Sequence, residues 1–157
     1  MRIGHGIDLH RFSVEPSRQL WLGLVLIDGA PGLEGHSDAD VVTHALCDAL
    51  LGGANLGDLG RHFPDDDPAT TGVSSQRLLE ETLRLVRASG YAVVSADVTI
   101  HAERPKLAGH MAAMSAALSS RVGTVVSLKA TTAEGLGALG RGEGIAATAV
   151  VLLEEIT

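Results

Sequence analysis

Apolar and polar positions change their period several times along this chain, and each change marks an element. Two short runs, Ile3 to Leu9 and Leu20 to Ile27, alternate or cluster as strands do, and the polar turn Ser13 to Arg18 between them predicts a hairpin. Ser37-Asp38 then offers an N-cap to a pattern that sets Val41, Val42, Ala45, Leu46, Ala49 and Leu50 on one helical face, closed by Gly52-Gly53. From Asn55 to Gly72 the periodicity stops and Gly, Pro and Asp take over, a loop long enough to be functional or mobile. Ser74 or Ser75 caps a second helix through Leu78, Leu79, Leu83, Leu85 and Val86, ending at Gly90, and Tyr91 to Ala102 follows as a strand. A third helix runs from Ala108 to Arg121 and stops at Gly123, Val125 to Thr131 is a strand, and the Gly-rich turn Gly135 to Gly144 leads into a last strand, Ile145 to Leu153. No repeat or linker interrupts the series. The reading is one α/β domain over residues 1–157, a mixed β-sheet with helices packed on one face.

Composition adds one demand. Only 3% of the 157 residues are aromatic while 19 are Gly, so the core is built from small aliphatic side chains in close backbone contact. Chains of this kind often complete their core by oligomerising. Twelve Lys and Arg against nineteen Asp and Glu give a net charge of −7, which argues against a nucleic-acid binder or a membrane-surface protein. Any phosphate bound here needs the help of metal ions. The single Cys47 excludes an internal disulfide and a Cys-based zinc site, and reads as a core thiol in a reducing compartment. The N-terminus lacks the apolar stretch of a signal peptide, and Ile145 to Leu153 is too short to span a bilayer, so the expected location is the cytoplasm.

Candidate chemistry begins at Asp8-Leu9-His10, the end of the first strand, where residues two apart share a face. A carboxylate and an imidazole so placed either meet one ion or form a surface pair. Asp40, His44 and Asp48, spaced i, i+4, i+8, draw a polar stripe along the first helix, either a solvated face or the wall of a site. His36-Ser37-Asp38 adds a histidine and an acid at the same helix start. Asp8, His10 and His44 together offer three N/O ligands with an open fourth position, the pattern of catalytic rather than structural zinc. The acidic loop with Asp58 and Asp65 to Asp67 either hydrogen-bonds a polyol or is solvated. Lys129 to Glu134 ends a strand with two hydroxyls and a carboxylate, a set suited to a hard cation and phosphate oxygens. Gly135-Leu136-Gly137-Ala138-Leu139-Gly140 matches G-x-G-x-x-G, but a strand rather than a helix follows, which excludes a dinucleotide fold.

Taken together, the motifs carry a resemblance. Gly4 to His10 (GHGIDLH), Gly35 to Asp40 (GHSDAD), His44 to Gly52 (HALCDALLG), Leu56 to Gly60 (LGDLG), Phe63-Pro64-Asp65, Arg104-Pro105-Lys106, Lys129 to Thr132 (KATT) and Gly140 to Ala146 (GRGEGIA) resemble, in order and spacing, the 2-C-methyl-D-erythritol 2,4-cyclodiphosphate synthases. The resemblance runs nearly end to end. It implies an enzyme of the non-mevalonate isoprenoid pathway that converts 4-diphosphocytidyl-2-C-methyl-D-erythritol 2-phosphate to the 2,4-cyclodiphosphate and releases CMP. It also implies a homotrimer with active sites between subunits. Asp8, His10 and His44 would bind Zn²⁺, with Asp8 and His10 also near substrate, and Glu134 would bind the Mg²⁺ or Mn²⁺ that bridges the phosphates. His36 and Ser37 would hold the methylerythritol phosphate end, with Asp58, Leu59, Gly60, Phe63, Pro64, Asp65, Asp66 and Asp67. The cytidine pocket would be framed by Ala102, Glu103, Arg104, Pro105, Lys106, Leu107 and Ala108. The diphosphate would lie on Thr131, Thr132 and Ala133, with Ala138 and Arg141 nearby. His36 and Thr132 match positions of transition-state stabilisation, and the trimer axis is a place for an isoprenoid diphosphate or another anion. Three positions depart from the family pattern. Ala133 replaces a third threonine, Ala138-Leu139 replaces an aromatic-threonine pair at the axial cavity, and Ala96 stands where Asn is usual, with an expected effect on a subunit contact.

Overall fold

The computed structural model describes residues 1–64 and 72–156. β1 (Arg2–Arg11), β6 (Gly144–Glu155), β4 (Tyr91–His101) and β5 (Val126–Thr131) form a four-stranded mixed sheet in the order β1-β6-β4-β5. The first two pairings are antiparallel and β4 runs parallel to β5. β1 lies against β6 over its whole length, Arg2 opposite Leu153 and Arg11 opposite Gly144. The hairpin expected between the first two apolar runs therefore does not form. The second run folds back on itself instead, as β2 (Leu20–Leu22) and β3 (Val25–Ile27), a separate two-stranded ribbon. Its turn residues Gly23 and Leu24 both take positive φ, 55° and 66°, as the commonest two-residue hairpin turns demand. Leucine at such a position carries no turn signal, and the reversal is invisible in the pattern.

The long helices α1 (Val41–Gly53), α3 (Ser75–Ala88) and α4 (Met111–Val122) cover one face of the sheet. α1 is apolar almost all round because it lies between β1 and β6 on one side and α3 on the other. α3 turns Leu78, Leu79, Thr82 and Val86 inward. Cys47 is fully buried, and burial pushes its thiol pKa up, as expected of a core thiol. The opposite sheet face is bare: Ile3 is 75% exposed, Leu9 64%, Ile7 56% and Val150 46%. Ala96 lies in the helix-covered core, not on the bare face.

α1 sits unusually close to β1. A Cβ added at Gly6 would lie 2.1 Å from the Ala45 carbonyl oxygen, and one at Gly4 would lie 1.8 Å from that of Ala49. Only glycine permits this approach. The N-cap of α1 is Asp40 rather than Ser37-Asp38. Its fully buried carboxylate accepts from Val42 N and Thr43 N, both at 3.1 Å, from Thr43 Oγ1 at 2.6 Å, and from Gly23 N and Leu24 N at 2.8 Å. Asp38 is engaged elsewhere, on Ser75. Ser74 caps α3, α4 begins three residues later than its Ala-rich run suggests, and Gly123 closes α4 in the left-handed conformation. Within the stretch expected as loop, Asp58 caps the short α2 (Leu59–His62). The Gly-rich turn holds the four-residue α5 (Gly137–Gly140) and then enters antiparallel β6, so no dinucleotide unit follows. Among the described residues, no helix is long and apolar enough to cross a membrane.

Candidate active site

Asp8 and His10 leave the end of β1 on its helix-facing side, and the close approach at Gly6 brings His44 of α1 against them. Asp8 Oδ2 is 3.0 Å from His44 Nδ1 and 3.2 Å from His10 Nε2. One ligand atom from each of the three residues falls within 4.8 Å of the others. Burial pushes the Asp8 carboxyl up, but hydrogen bonds and charge from His10 and His44 outweigh it and hold the group well below the usual carboxylate range. The same hydrogen bond raises His10 above its ordinary 6.5, against the effect of burial. His10 Nδ1 faces the Glu34 carbonyl in a short hydrogen bond, so in the neutral ring it carries the hydrogen and Nε2 turns its lone pair to Asp8, gaining a hydrogen there only when the ring is protonated. With both imidazoles neutral, one ring nitrogen of each histidine and a carboxylate oxygen converge, and two imidazoles with one carboxylate fit zinc.

The cluster opens on a cavity of about 290 Å³, whose wall includes His36, Ser37, Asp48, Leu59, Gly60 and Phe63. His36, Ser37, Leu59, Gly60 and Phe63 were all expected here from the sequence. Asp58 is the α2 cap, accepting from Arg61 N at 3.0 Å, and is not part of the wall. Pro64 is exposed, and Asp65, Asp66 and Asp67 lie outside the described residues. The polar stripe resolves into three roles. Asp40 is structural, His44 joins the metal-type cluster, and Asp48 anchors the loop by accepting Leu59 N at 2.8 Å. Burial raises the Asp48 pKa, with Asp58 and Asp8 adding to the effect and the Leu59 N–H opposing it. Asp48 was missing from the expected site residues, although its i+4 spacing from His44 was the available signal. Gly35, Val73 and Leu78 also line the wall and had no signal beyond ordinary helix and turn patterning.

A second cluster forms around the ends of β4 and β5. Ala102 N donates to Thr131 O at 3.0 Å, while Glu103 Oε1 accepts from Ala133 N at 2.9 Å. These contacts join the segment Ala102 to Ala108 to Thr131 through Glu134. Thr132 Oγ1 donates to Glu134 Oε1 at 2.8 Å, and Glu134 is exposed and holds a positive φ of 51°. Arg104 stacks 5.4 Å over the Phe12 ring, Lys106 is exposed, and Leu107 is buried. Ala138 lies beside Leu9 at the edge of the bare face, and Arg141 pairs with Glu143 at 2.6 Å. His10 and Thr131 end the two outermost strands on the same end of the sheet. Three strand spacings separate them, roughly 14 Å. One copy of the chain does not bring His36 and Thr132, or the two expected metal positions, into one cavity.

A mixed sheet carrying an open Asp-His-His donor set at one end, with a hydroxyl and carboxylate loop at the same end, defines a small α/β protein with a cluster that could hold a metal. A model of the YgbB family matches residues 1–154. The chain is 52% identical over 158 residues to the 2-C-methyl-D-erythritol 2,4-cyclodiphosphate synthase of Desulfosudis oleivorans, covering 99% of this chain and 93% of that one. A solved 2C-methyl-D-erythritol-2,4-cyclodiphosphate synthase in a CDP-bound form superposes with a TM-score of 0.88 at 40% identity, covering 98% of this chain and all of that one. The bifunctional IspDF of Campylobacter jejuni gives a TM-score of 0.93 at 37% identity, covering 99% of this chain, which spans 42% of that longer protein. The chain belongs to the YgbB family, that of the 2-C-methyl-D-erythritol 2,4-cyclodiphosphate synthases of non-mevalonate isoprenoid biosynthesis, and it is an enzyme.

Proposed function

We propose that the chain closes the ring of 4-diphosphocytidyl-2-C-methyl-D-erythritol 2-phosphate, with CMP as the leaving group. The observation that carries the reading is the Asp8, His10 and His44 donor set opening on a cavity walled by His36 and Ser37. An oxygen of the 2-phosphate attacks the β-phosphorus, and the bond from that phosphorus to the oxygen shared with the CMP phosphate breaks. The reaction is intramolecular, so holding both ends of one molecule lowers the barrier and no protein nucleophile is needed. When bound, Zn²⁺ on Asp8, His10 and His44 and Mg²⁺ or Mn²⁺ on Glu134 would supply positive charge to the phosphates of a substrate that meets an acidic protein. His36 and Ser37 hold the methylerythritol phosphate end, while Thr131, Thr132 and the Ala133 backbone take the diphosphate. Ala102 to Ala108 frame the cytidine, and His36 and Thr132 donate to charge that develops at phosphorus. Asp48 keeps the Asp58 to Gly60 turn against the cavity mouth. Turnover in oxygen-18-labelled water tests the chemistry. Cyclisation leaves CMP and the cyclic product unlabelled, whereas label at phosphorus in the first turnover identifies a phosphohydrolase and overturns the proposal.

The two clusters complete one site only between copies, which supports a homotrimer whose bare sheet faces meet around the axis. Ala138 and Arg141 then border the axial cavity, where Arg141 offers an anion site already shared with Glu143. Mixing His44→Ala with Glu134→Ala chains tests the shared site. In randomly mixed trimers about a quarter of the interfaces pair an intact zinc half with an intact Glu134 half, so roughly a quarter of wild-type activity returns. Zero recovery in confirmed mixed trimers contradicts it.

A further inference from the structure

His44 has two ring nitrogens, and only one of them faces the metal-type cluster. Nδ1 lies 3.0 Å from Asp8 Oδ2, while Nε2 points the other way, 3.0 Å from Ser75 Oγ and 3.2 Å from Ser37 Oγ. Ser75 is the first residue of α3 and is fully buried. Its hydroxyl also makes a short hydrogen bond to Asp38 Oδ1, and its backbone N–H donates to Asp38 Oδ2 at 2.8 Å. A carboxylate can only accept, so the proton in the Ser75 and Asp38 contact comes from the hydroxyl. What Ser75 Oγ then turns toward His44 is a lone pair, and Nε2 must carry the hydrogen. A neutral imidazole has one such hydrogen, which leaves the Nδ1 lone pair aimed at Asp8. Glu34 does the same for His10 from the opposite side, through a backbone carbonyl.

We propose that Asp38 and Ser75 are positioning residues that set the tautomer and ring orientation of His44, so that Nδ1 is presented to the metal before any metal arrives. This rests on the zinc reading above. The arrangement also links two distant segments, since Asp38 is 37 residues from Ser75 in sequence. Ser37 is the weaker partner of Nε2. Its hydroxyl already accepts from Ala39 N at 3.1 Å, it lies at the cavity wall, and among the described residues no carboxylate is bonded to it as Asp38 is to Ser75.

Three hydroxyl variants of the full chain, stripped of metal, separate the possibilities. Partners of this kind typically change metal affinity by about 10- to 100-fold. Ser75→Ala is therefore expected to weaken zinc binding in competition with a chromophoric chelator by that factor. Ser75→Thr, which keeps the hydroxyl, restores most of it, and Ser37→Ala changes it by less. The unfolding midpoint of each metal-free variant shows whether it is folded, because Ser75→Ala keeps the backbone N–H bond to Asp38. Nitrogen-15 NMR of the histidine rings in the metal-free wild type reads the tautomer directly, with the hydrogen on Nε2 of His44, and a mixture of tautomers in Ser75→Ala. Unchanged zinc affinity and an unchanged His44 tautomer in folded Ser75→Ala overturn the proposal while leaving the zinc site standing. A larger loss from Ser37→Ala than from Ser75→Ala overturns it as well. Equal zinc binding by wild type and His44→Ala refutes the zinc site itself, and the positioning role with it.

Discussion

Gly6→Ala tests how far the site depends on the close approach of strand and helix. The added methyl carbon would stand 2.1 Å from the Ala45 carbonyl oxygen and 2.6 Å from Ala49 N, where ordinary contact begins at 3.4 Å. Both neighbours are backbone atoms of a helix buried on nearly every side, and neither can rotate away. α1 must lift from β1 by about 1.3 Å, or β1 must buckle by a similar amount. Overpacking of this kind costs about 1 to 3 kcal/mol, occasionally more. With a urea slope of about 1 to 3 kcal/mol per molar, the unfolding midpoint of the metal-free chain falls by roughly 1 M. The same displacement separates His44 from Asp8, and a zinc site tolerates only about 0.2 Å in its ligand distances. Zinc affinity should thus fall by at least about tenfold in chain that remains folded. Gly52→Ala is the control. It lies in the same helix with its nearest neighbour at 3.9 Å, so it should be neutral or more stable by about 0.5 to 1 kcal/mol. If Gly6→Ala unfolds at the Gly52→Ala midpoint and keeps its zinc, the coupling of backbone approach to ligand geometry is wrong.

Other consequences are open to direct measurement. Asp48→Ala strands the Leu59 N–H and should cost about 1 to 3 kcal/mol in urea unfolding, with reduced turnover, while Asp48→Asn keeps an acceptor and most of the stability. In the metal-free chain, Asp8 has a lowered pKa and contributes stability above its unfolded value of 3.8, lost as pH falls through the folded value. His10 has a raised pKa and contributes below 6.5, with the gain lost as pH rises through its folded value. Metal-free melting temperature should therefore decline above neutrality while the zinc-loaded chain gains, and a gap between the two that ignores pH would contradict the pairing. Ile7→Asp on the bare face should leave a folded chain of 16.2 kDa by light scattering. The wild type should give about 49 kDa, three times that mass.

The metal-type set was legible because it follows from the two simplest periods, i, i+2 in a strand and i, i+4 in a helix. The strands of the main sheet and the three long helices were legible for the same reason. The β2-β3 reversal was not, because Leu24 reaches its left-handed conformation through the surrounding structure and not through turn chemistry. Neither was the exchange of roles between Asp38 and Asp40. Both are acids at a helix start, and only the positions of Gly23, Leu24 and Ser75 decide which one caps α1 and which reaches α3. The roughly 14 Å between the two halves of the proposed site was illegible too, since it depends on strand order, and β6 inserts between β1 and β4 from the far end of the chain.

The Asp40 carboxylate governs which parts of the chain can open separately. It accepts from Gly23 and Leu24 in the β2-β3 turn and from Val42 and Thr43 in α1, so opening the helix start strands the turn amides, and opening the ribbon takes two of its donors from a buried carboxylate. Ribbon and helix start are then expected to behave as one foldon, with their four amides giving a common opening free energy in deuterium exchange. His44 lies inside that unit, its own N–H bonded to Asp40 O at 2.9 Å. The proposed zinc ligand is thus held in a unit whose opening is set by a carboxylate outside the metal-type cluster.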